Sequence, residues 1–190
     1  MEFKNLKKEE IEKIREINRE ESVNKVFYHE NGRLKLKNEN YGATNEWWQE
    51  EEVPHIIPRI EKIFDNGGLV YGAFRKGKLV GLTAVENKFL KDHKDLMNLD
   101  ALYVSNKLRG KKDGYKLLKK AEEFAKKKKA KGLYISATPS KHTVDFYIKN
   151  GAELVNDPND RLYKREPEDI HLVIHFWNLI MNSVFSESDL

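Results

Sequence analysis

The segment Leu99–Lys119 (LDALYVSNKLRGKKDGYKLLK) constrains the fold more than any other part of the chain. Its first six residues are mostly apolar, as a buried strand requires. Its second half begins an amphipathic helix. The apolar residues of that helix recur at three- and four-residue spacing: Leu117, Leu118, Ala121, Phe124 and Ala125. A strand followed closely by such a helix predicts an α/β fold.

The turn between that strand and helix, Arg109–Gly114, carries one arginine, two lysines and two glycines. A helix start presents unpaired backbone N–H groups, and these groups and the helix dipole favour a negatively charged ligand. The turn therefore predicts a phosphate site, and the alternative is a basic helix start without a ligand. The chain has no G-x-G-x-x-G motif, and Leu79 replaces the Ser or Thr in its nearest approach to a P-loop.

This turn resembles the pyrophosphate loop of the GNAT superfamily of N-acetyltransferases, [QR]-x-x-G-x-[GA]. Arg109 fills the first position, Gly114 fills the last, and Lys112 stands where the middle glycine is usual. We expect Lys112 to adopt a negative φ, as residues of a first helical turn do.

A second segment, Ser140–Ala152, is similar to a later helix of the same superfamily. Its aromatic pair, Phe146 and Tyr147, is followed four residues on by Gly151. The order and separation of the two segments also fit the superfamily, so the resemblance covers about residues 96–154.

The resemblance implies a mixed, mostly antiparallel central sheet with a splayed parallel strand pair, flanked by helices. The residue patterns predict a hairpin of Leu69–Arg75 and Lys78–Glu86. They also predict a strand at Gly132–Ala137, which should run parallel to the central strand because a helix joins the two. We expect one domain over residues 1–175 and an apolar helical tail over 176–190.

The remaining elements follow from local patterns. We expect a loop at Glu20–Gly42, in which Arg33–Lys37 can form a short strand, and a helix that begins with Thr138 as its N-cap. The other predicted helices and strands are an edge strand at Met1–Leu6, helices at Lys7–Asn18 and Pro54–Phe64, and strands at Ala152–Val155 and Ile170–His175.

The composition narrows the function classes. With 35% charged and 39% hydrophobic residues the chain has the composition of a globular domain, and no stretch approaches the roughly 20 apolar residues of a membrane span. The chain has no cysteine, which excludes disulfides and thiolate chemistry. No apolar signal region follows the N-terminus, so we expect a cytoplasmic protein.

Lysines cluster on and just after the central helix, although the net charge is only +4. They indicate either a nucleic-acid footprint or a solvated helix face. The pairs Glu122–Lys126 and Glu123–Lys127 favour the solvated face, as does the position of the nearby aromatics on the buried side. We therefore predict no nucleic-acid partner.

The resemblance implies that the chain binds acetyl-CoA at two groups of residues. Backbone groups of Leu102, Tyr103 and Val104 would bind the pantetheine, and the Leu102 N–H would donate to the thioester oxygen. The residues that would bind the diphosphate or approach the cofactor from the second motif are Arg109, Gly110, Lys111, Lys112, Asp113, Gly114, Tyr115, Ser140 and Thr143. Ser140 could instead only cap the helix.

Three residues are candidates for proton transfer. Tyr147 matches the superfamily tyrosine that protonates the departing thiolate, and its alternative role is that of a core residue. Asp100 is a charged residue inside the central strand and is a candidate general base. Glu86, at the end of the preceding strand, competes for that role.

The acceptor and metal sites are less defined. Asn45–Pro54 combines two tryptophans with three consecutive glutamates and would suit a cationic amine, or it is an ordinary loop with buried tryptophans. His171 and His175 have the spacing of a helical zinc pair, but the residues between them read as a strand, which holds them about 13 Å apart. We therefore predict no metal site.

These inferences predict an enzyme that transfers an acetyl group from acetyl-CoA directly to a primary amine of a small molecule or peptide. The lack of cysteine excludes a cysteine acyl-enzyme route. A catalytically inactive coenzyme A-binding sensor or interaction module of the same fold is the alternative, and a basic nucleic-acid-associated protein is a weaker one. We expect a monomer or homodimer.

Overall fold

A seven-stranded, mostly antiparallel sheet lies at the centre of the computed structural model, which describes residues 1–39, 43–44 and 53–176. The strands in chain order are β1 (Glu2–Asn5), β2 (Glu21–Ser22), β3 (Lys25–Glu30), β4 (Arg33–Asn38), β5 (Ala43–Thr44), β6 (Leu69–Arg75), β7 (Lys78–Phe89), β8 (Leu96–Val104), β9 (Gly132–Ala137), β10 (Ala152–Leu154) and β11 (Ile170–His175). The order in the main sheet is β1-β6-β7-β8-β9-β11-β10.

Helices cover both faces of this sheet. One face packs against α2 and α3, and the other packs against α1 and the N-terminal 3₁₀ helix. Side chains alternate between the two faces along β6, so Leu69 belongs to the first core and Val70 to the second. The helices are two 3₁₀ helices (Lys8–Glu16 and Asn106–Leu108) and α1 (Val53–Asp65), α2 (Asp113–Lys127), α3 (Lys141–Lys149) and α4 (Asp160–Arg165).

The parallel strand pair β8 and β9 is joined over only half of its length. Leu96–Leu99 pair with Gly132–Ile135, and from Asp100 onward no described residue pairs with β8 on that side. Asp100 is also the extra residue of a β-bulge, because Val85 of β7 faces Leu99 whereas Ala84 faces Ala101. A bulge bends its strand, which accounts for the separation of β8 from β9 at this point. The predicted fold class, including the splayed parallel pair, is confirmed.

The strongest local patterns give the predicted elements. The hairpin of β6 and β7 turns at Lys76-Gly77, where both residues have positive φ (52° and 77°). The predicted strand bounds of β9 and β11 agree with the structure, and β9 runs parallel to β8 as expected. The N-terminal helix is a 3₁₀ helix that buries Ile11 and Ile14.

The remaining chain differs from the prediction at three places. Glu20–Gly42 was expected to be a loop in which Arg33–Lys37 could form a short strand. That strand is present as β4, but it pairs with the unpredicted β3 in a hairpin. Its strands are largely exposed, so they lack the apolar alternation that marks a buried strand. The turn at Asn31-Gly32, where both residues have positive φ, gives the hairpin its register. The short helix α4 was not predicted at all.

The third difference from the prediction is the residue at which α3 begins. Thr138 was expected to be the N-cap, but the cap is Ser140, whose hydroxyl accepts a hydrogen bond from the Thr143 N–H at 3.3 Å. Pro139 remains outside the helix because its carbonyl accepts a hydrogen bond from the Phe27 N–H of β3 at 2.8 Å. Tertiary contact with β3 therefore sets where this helix begins.

Two other predictions concern α2 and the ends of the described chain. The glutamates of α2 pair with the lysines three residues before them, Lys119 with Glu122 and Lys120 with Glu123, instead of with those four residues after. The predicted tail and most of Asn45–Pro54 lie outside the described residues. No helix in the described part of the chain is long and apolar enough to cross a bilayer.

Candidate active site

A cavity of about 910 Å³, called the larger cavity below, lies between the end of β8, the start of α2 and the face of α3. Gly114 forms part of its floor, where a Cβ would make ordinary contacts with Phe146 and Val104 at 3.4–3.5 Å and a longer side chain would extend into the cavity. The residues that line it from these three elements are Leu102, Tyr103, Val104, Arg109, Gly110, Lys112, Gly114, Tyr115, His142, Thr143, Asp145, Phe146, Tyr147, Lys149 and Asn150.

The start of α2 offers hydrogen-bond donors to this cavity. The backbone N–H groups of Lys112, Asp113, Gly114 and Tyr115 form no hydrogen bond with any of the described residues. Such a row of unpaired donors at the positive end of a 15-residue helix fits a diphosphate. The residues present therefore suit the phosphate groups of a coenzyme A-type ligand.

The backbone of Lys112 differs from the expectation. A negative φ was predicted, but Lys112 has φ 65° and ψ 4°, in the left-handed region. A side chain in that region costs about 1–2 kcal/mol, and glycine carries no such cost. The position therefore has the conformation that favours the superfamily's glycine, although this chain places a lysine there.

The basic residues of the turn do not all point to the cavity. Arg109 forms an ion pair with Glu21 of β2 at 2.7 Å, and its second terminal nitrogen lies 3.4 Å from the Arg19 carbonyl oxygen. Lys112 lines the cavity, whereas Lys111 and the buried Asp113 do not. Of the predicted cationic side chains, Arg109 is thus already engaged by an acidic partner.

The second motif contributes through α3. Thr143 lines the cavity, whereas Ser140 lies beneath it as the helix cap. The Ser140 hydroxyl donates to Thr143 Oγ1 at 2.9 Å. Of the two alternatives for Ser140, the geometry therefore favours the capping role.

A second cavity of about 440 Å³, called the smaller cavity below, opens where β8 and β9 separate. It is polar, with residues from α1, β8, β9 and the segment after α4. Six residues line both cavities, so the two spaces adjoin: Arg19, Leu102, Tyr103, Thr138, Thr143 and Tyr147. A ligand in the larger cavity and a ligand in the smaller one would therefore meet beside these residues.

Tyr147 lies at this junction. It is 5% exposed, and its hydroxyl forms no hydrogen bond within the described part of the chain. Burial raises the pKa of Tyr147 above its usual value, and Tyr103 and Asp169 raise it further. The phenol is therefore protonated at neutral pH and has a proton to donate.

Asp100 lines the smaller cavity but is fully engaged. Its carboxylate is inaccessible to solvent and accepts from Arg59 Nε at 2.8 Å and from Arg165 Nη1 at 3.1 Å. Asn98 Nδ2 approaches it at 3.5 Å. These contacts bring α1, β8 and α4 together around one buried charge.

Glu86 is removed from both cavities. Arg161 donates to its two oxygens at 3.0 and 3.2 Å, and Lys88 Nζ lies 3.1 Å away. Burial alone would raise the pKa of Glu86, but the charges of Arg161 and Lys88 outweigh it and hold the pKa below its usual value. A carboxylate with a lowered pKa is a weaker base.

Several residues of the smaller cavity were not predicted from the sequence. Arg59 is on α1, and Arg165 is on the unpredicted α4. Ser136 of β9 hydrogen-bonds to Asp169, which precedes the neighbouring strand β11. Asn159 followed by an acidic residue was a recognisable helix start, and its side chain caps α4. No local signal distinguished Asp169 from the other acidic residues around it.

The buried histidine His171 lies in β11, as the strand prediction required. Its Nδ1 shares a hydrogen bond with the Tyr134 hydroxyl at 2.9 Å. That hydroxyl accepts in turn from the Asn159 N–H at 2.8 Å. Among the described residues, no group of three or more His, Asp or Glu side chains could hold a metal ion.

Several solved structures share this fold. A candidate streptothricin acetyltransferase of Bacillus anthracis strain Ames, in complex with acetyl coenzyme A, has a TM-score of 0.65 and 16% identity, with 92% of this chain and 98% of that chain covered. The PaiA N-acetyltransferase of Thermoplasma acidophilum, in complex with coenzyme A, has a TM-score of 0.60 and 19% identity over the same shares of the chains. An aminoglycoside 6'-acetyltransferase type Ii has a TM-score of 0.61 and 15% identity, covering 92% and 97%. At such identities the likeness shows the fold alone.

Two features define the fold class: the separation of the parallel strands β8 and β9, and the unpaired N–H groups at the start of α2. A sequence comparison defines the family. The model of the acetyltransferase (GNAT) family matches residues 33–152, which is more than half of the chain. This chain belongs to the GNAT acetyltransferase family, as its two motifs predicted, and its chemical class is that of an acyltransferase. A search of curated protein sequences finds no match.

Proposed function

We propose that this protein is an acetyl-CoA-dependent N-acetyltransferase that acts by direct transfer to a primary amine. The observation that carries the proposal is the junction of the two cavities at Tyr147, where β8 and β9 separate. Acetyl-CoA, when bound, supplies the acetyl group as an activated thioester. The larger cavity is the site for that donor, and the smaller cavity is the site for the amine.

The donor site is built mainly from backbone groups. The unpaired N–H groups of Lys112–Tyr115 bind the diphosphate, and the Lys112 ammonium adds charge. Among the described residues, the edge of β8 from Asp100 to Val104 has no strand partner on the β9 side, so the backbone groups that face this side are available to a ligand. We assign the Leu102 N–H to the developing negative charge on the thioester oxygen.

Tyr147 is the proton donor of this proposal. Its hydroxyl has no hydrogen-bond partner among the described residues, and its raised pKa keeps it protonated at neutral pH. It holds a proton at Oη for the departing sulfur, which would otherwise leave as an unfavourable thiolate. Its place at the boundary of the two cavities supports this role.

The smaller cavity supports a small polar acceptor or the end of a peptide. Its volume of about 440 Å³ limits the part of the acceptor that enters it. Its lining contains both arginines and carboxylates, so it suits an amine that carries other polar groups. Acetylation of aminoglycosides by a protein of the same fold supports an amine acceptor without identifying it.

A thiol-release assay tests the proposal. The purified protein is incubated with acetyl-CoA and a panel of amines, and free coenzyme A is measured with a thiol reagent. Because the chain has no cysteine, the reagent reports only coenzyme A. We expect thiol release only when a suitable amine is present. Acetyl-CoA binding in a thermal-shift titration without release for any amine would instead support the inactive coenzyme A-binding module.

A further inference from the structure

A carboxylate outside the predicted site lies in the smaller cavity. Asp169 immediately precedes β11, and the Ser136 hydroxyl of β9 donates to its Oδ2 at 2.7 Å. Ser136 is held in place because it pairs with His171 across the sheet. Asp169 therefore has a fixed position at the point where β9 diverges from β8.

Asp169 is available as a base because the two predicted candidates, Asp100 and Glu86, are engaged elsewhere. Asp100 is occupied by two arginines, and Glu86 lies outside the cavity with its own arginine. Glu166 lies beside Asp169 and hydrogen-bonds with it when one of the two carboxyls is protonated. The negative charge of Asp169 also acts on the Tyr147 hydroxyl, which places the two groups near each other in the same cavity.

The Asp169 carboxyl changes its protonation state near neutral pH. The pKa of Asp169 is raised to about 7, chiefly by burial and also by Glu166, while the Ser136 hydrogen bond and the Arg165 charge act in the opposite direction. A carboxylate with that pKa is about a thousandfold stronger base than an ordinary aspartate. The other titratable, charged or hydroxyl-bearing groups that line this cavity are Arg19, His55, Arg59, Asp100, Tyr103, Thr138, Thr143 and Tyr147.

We propose that Asp169 binds the ammonium group of the acceptor and removes its proton. The N–H bond breaks, the proton moves to an Asp169 carboxylate oxygen, and the electron pair stays on the nitrogen as a neutral amine. Ser136 orients the carboxylate, and Glu166 stabilises the proton after transfer. Asp169 and Tyr147 thereby divide the two proton transfers between them. This inference rests on the proposed acetyltransfer and assigns the base within it.

The direct test compares Asp169→Asn with Glu168→Gln, which removes an exposed neighbouring carboxylate outside both cavities. We expect Asp169→Asn to lower kcat at pH 7 by at least about 100-fold. The acid limb of the pH profile, near pH 7 in the parent protein, should disappear. Glu168→Gln should keep the parent's kcat and the acid limb of its pH profile. The parent and both variants should show the same thermal shift with acetyl-CoA.

Two further variants keep the inference testable if Asp169→Asn does not fold. Ser136→Ala removes a bond that favours the ionised carboxylate, so the acid limb should move to higher pH by about half a unit or more. Glu166→Gln removes a neighbouring negative charge, so the limb should move to lower pH. Carbon-13 NMR of aspartate-labelled protein without substrates should show one carboxyl that titrates near pH 7 and is missing in Asp169→Asn.

The outcomes separate this inference from the proposed function. Parent protein that releases no thiol with any amine contradicts the proposed function. An active parent whose rate and pH profile survive Asp169→Asn overturns only the role of Asp169. The role of Asp169 would also be overturned if Ser136→Ala and Glu166→Gln showed the same pH dependence of the rate.

Discussion

Tyr147 shows how a single residue serves both the core and the site. It packs in the core between α3 and the sheet, and its hydroxyl reaches the boundary of the two cavities without a hydrogen-bond partner among the described residues. Because the residue lines both cavities, water reaches the hydroxyl when they hold no ligand, and a substrate group takes the place of that water when one binds.

The acid role of Tyr147 can be tested by removing its hydroxyl alone. We expect Tyr147→Phe to lower kcat by about 100-fold, since general acid catalysis contributes that much or more. Acetyl-CoA affinity should change little, because the ring remains in the core. Turnover equal to that of the parent would remove the acid role, and steady-state kinetics with a calorimetric Kd for acetyl-CoA measures both quantities.

The left-handed backbone of Lys112 can also be tested, because its positive φ costs free energy that a glycine would not pay. Lys112→Gly and Lys112→Ala both remove the charge and differ in backbone preference. We expect the glycine variant to be more stable than the alanine variant by about 1 kcal/mol in urea unfolding. A right-handed helical backbone at this position would reverse the order, since alanine is the better helix former.

At the scale of elements, the start of α2 and the end of β8 form one wall of the site. Gly114 is the point of closest approach, where a Cβ would make ordinary contacts with Phe146 and Val104 and a larger side chain would enter the cavity. The unpaired N–H groups around it form part of the same surface. The helix start is thus both a packing contact and a binding surface.

Substitution at Gly114 separates these two roles. We expect Gly114→Glu to abolish acetyl-CoA stabilisation in a thermal-shift titration, because it fills the floor and places a negative charge at the diphosphate site. Gly114→Ala is the matched control, since its Cβ fits at 3.4 Å from Phe146, and it should keep most of the stabilisation. Retained stabilisation in Gly114→Glu would move the diphosphate away from this turn.

The bulge of β8 is fixed by the ion pairs that meet at Asp100. Asp100→Asn would leave Arg59 and Arg165 without their shared carboxylate, and breaking a buried pair costs about 3 kcal/mol or more. Asp95→Asn breaks a surface pair with Lys131 and should cost less than about 1 kcal/mol. Urea unfolding compares the two, and equal small effects would show that Asp100 is not a structural centre.

At the scale of the whole molecule, the sequence predicted what local patterns determine. The β6–β7 hairpin, β8, α2 and β9 follow from apolar periodicity, turn residues and the handedness of parallel connections. The strand β4 was anticipated at Arg33–Lys37, but its exposed partner β3 and the short α4 were missed because neither has a strong apolar pattern.

The same limit applies to the site. Backbone-binding positions near Gly114 are marked by composition, whereas the smaller cavity is assembled from α1, β9, α4 and the residue before β11. Asp169 and Ser136 are more than 30 residues apart in the chain, and only the sheet brings them within 2.7 Å. No spacing rule predicts such a contact, because it depends on the register in which β9 pairs with β11.

A crystal structure of the protein with acetyl-CoA would show in one experiment where the cofactor binds. We expect the diphosphate against the N–H groups of Lys112–Tyr115 and the thioester beside Tyr147, between the separated ends of β8 and β9. A cofactor bound elsewhere, or a gap between the strands that stays closed to it, would contradict the assignment of the two cavities.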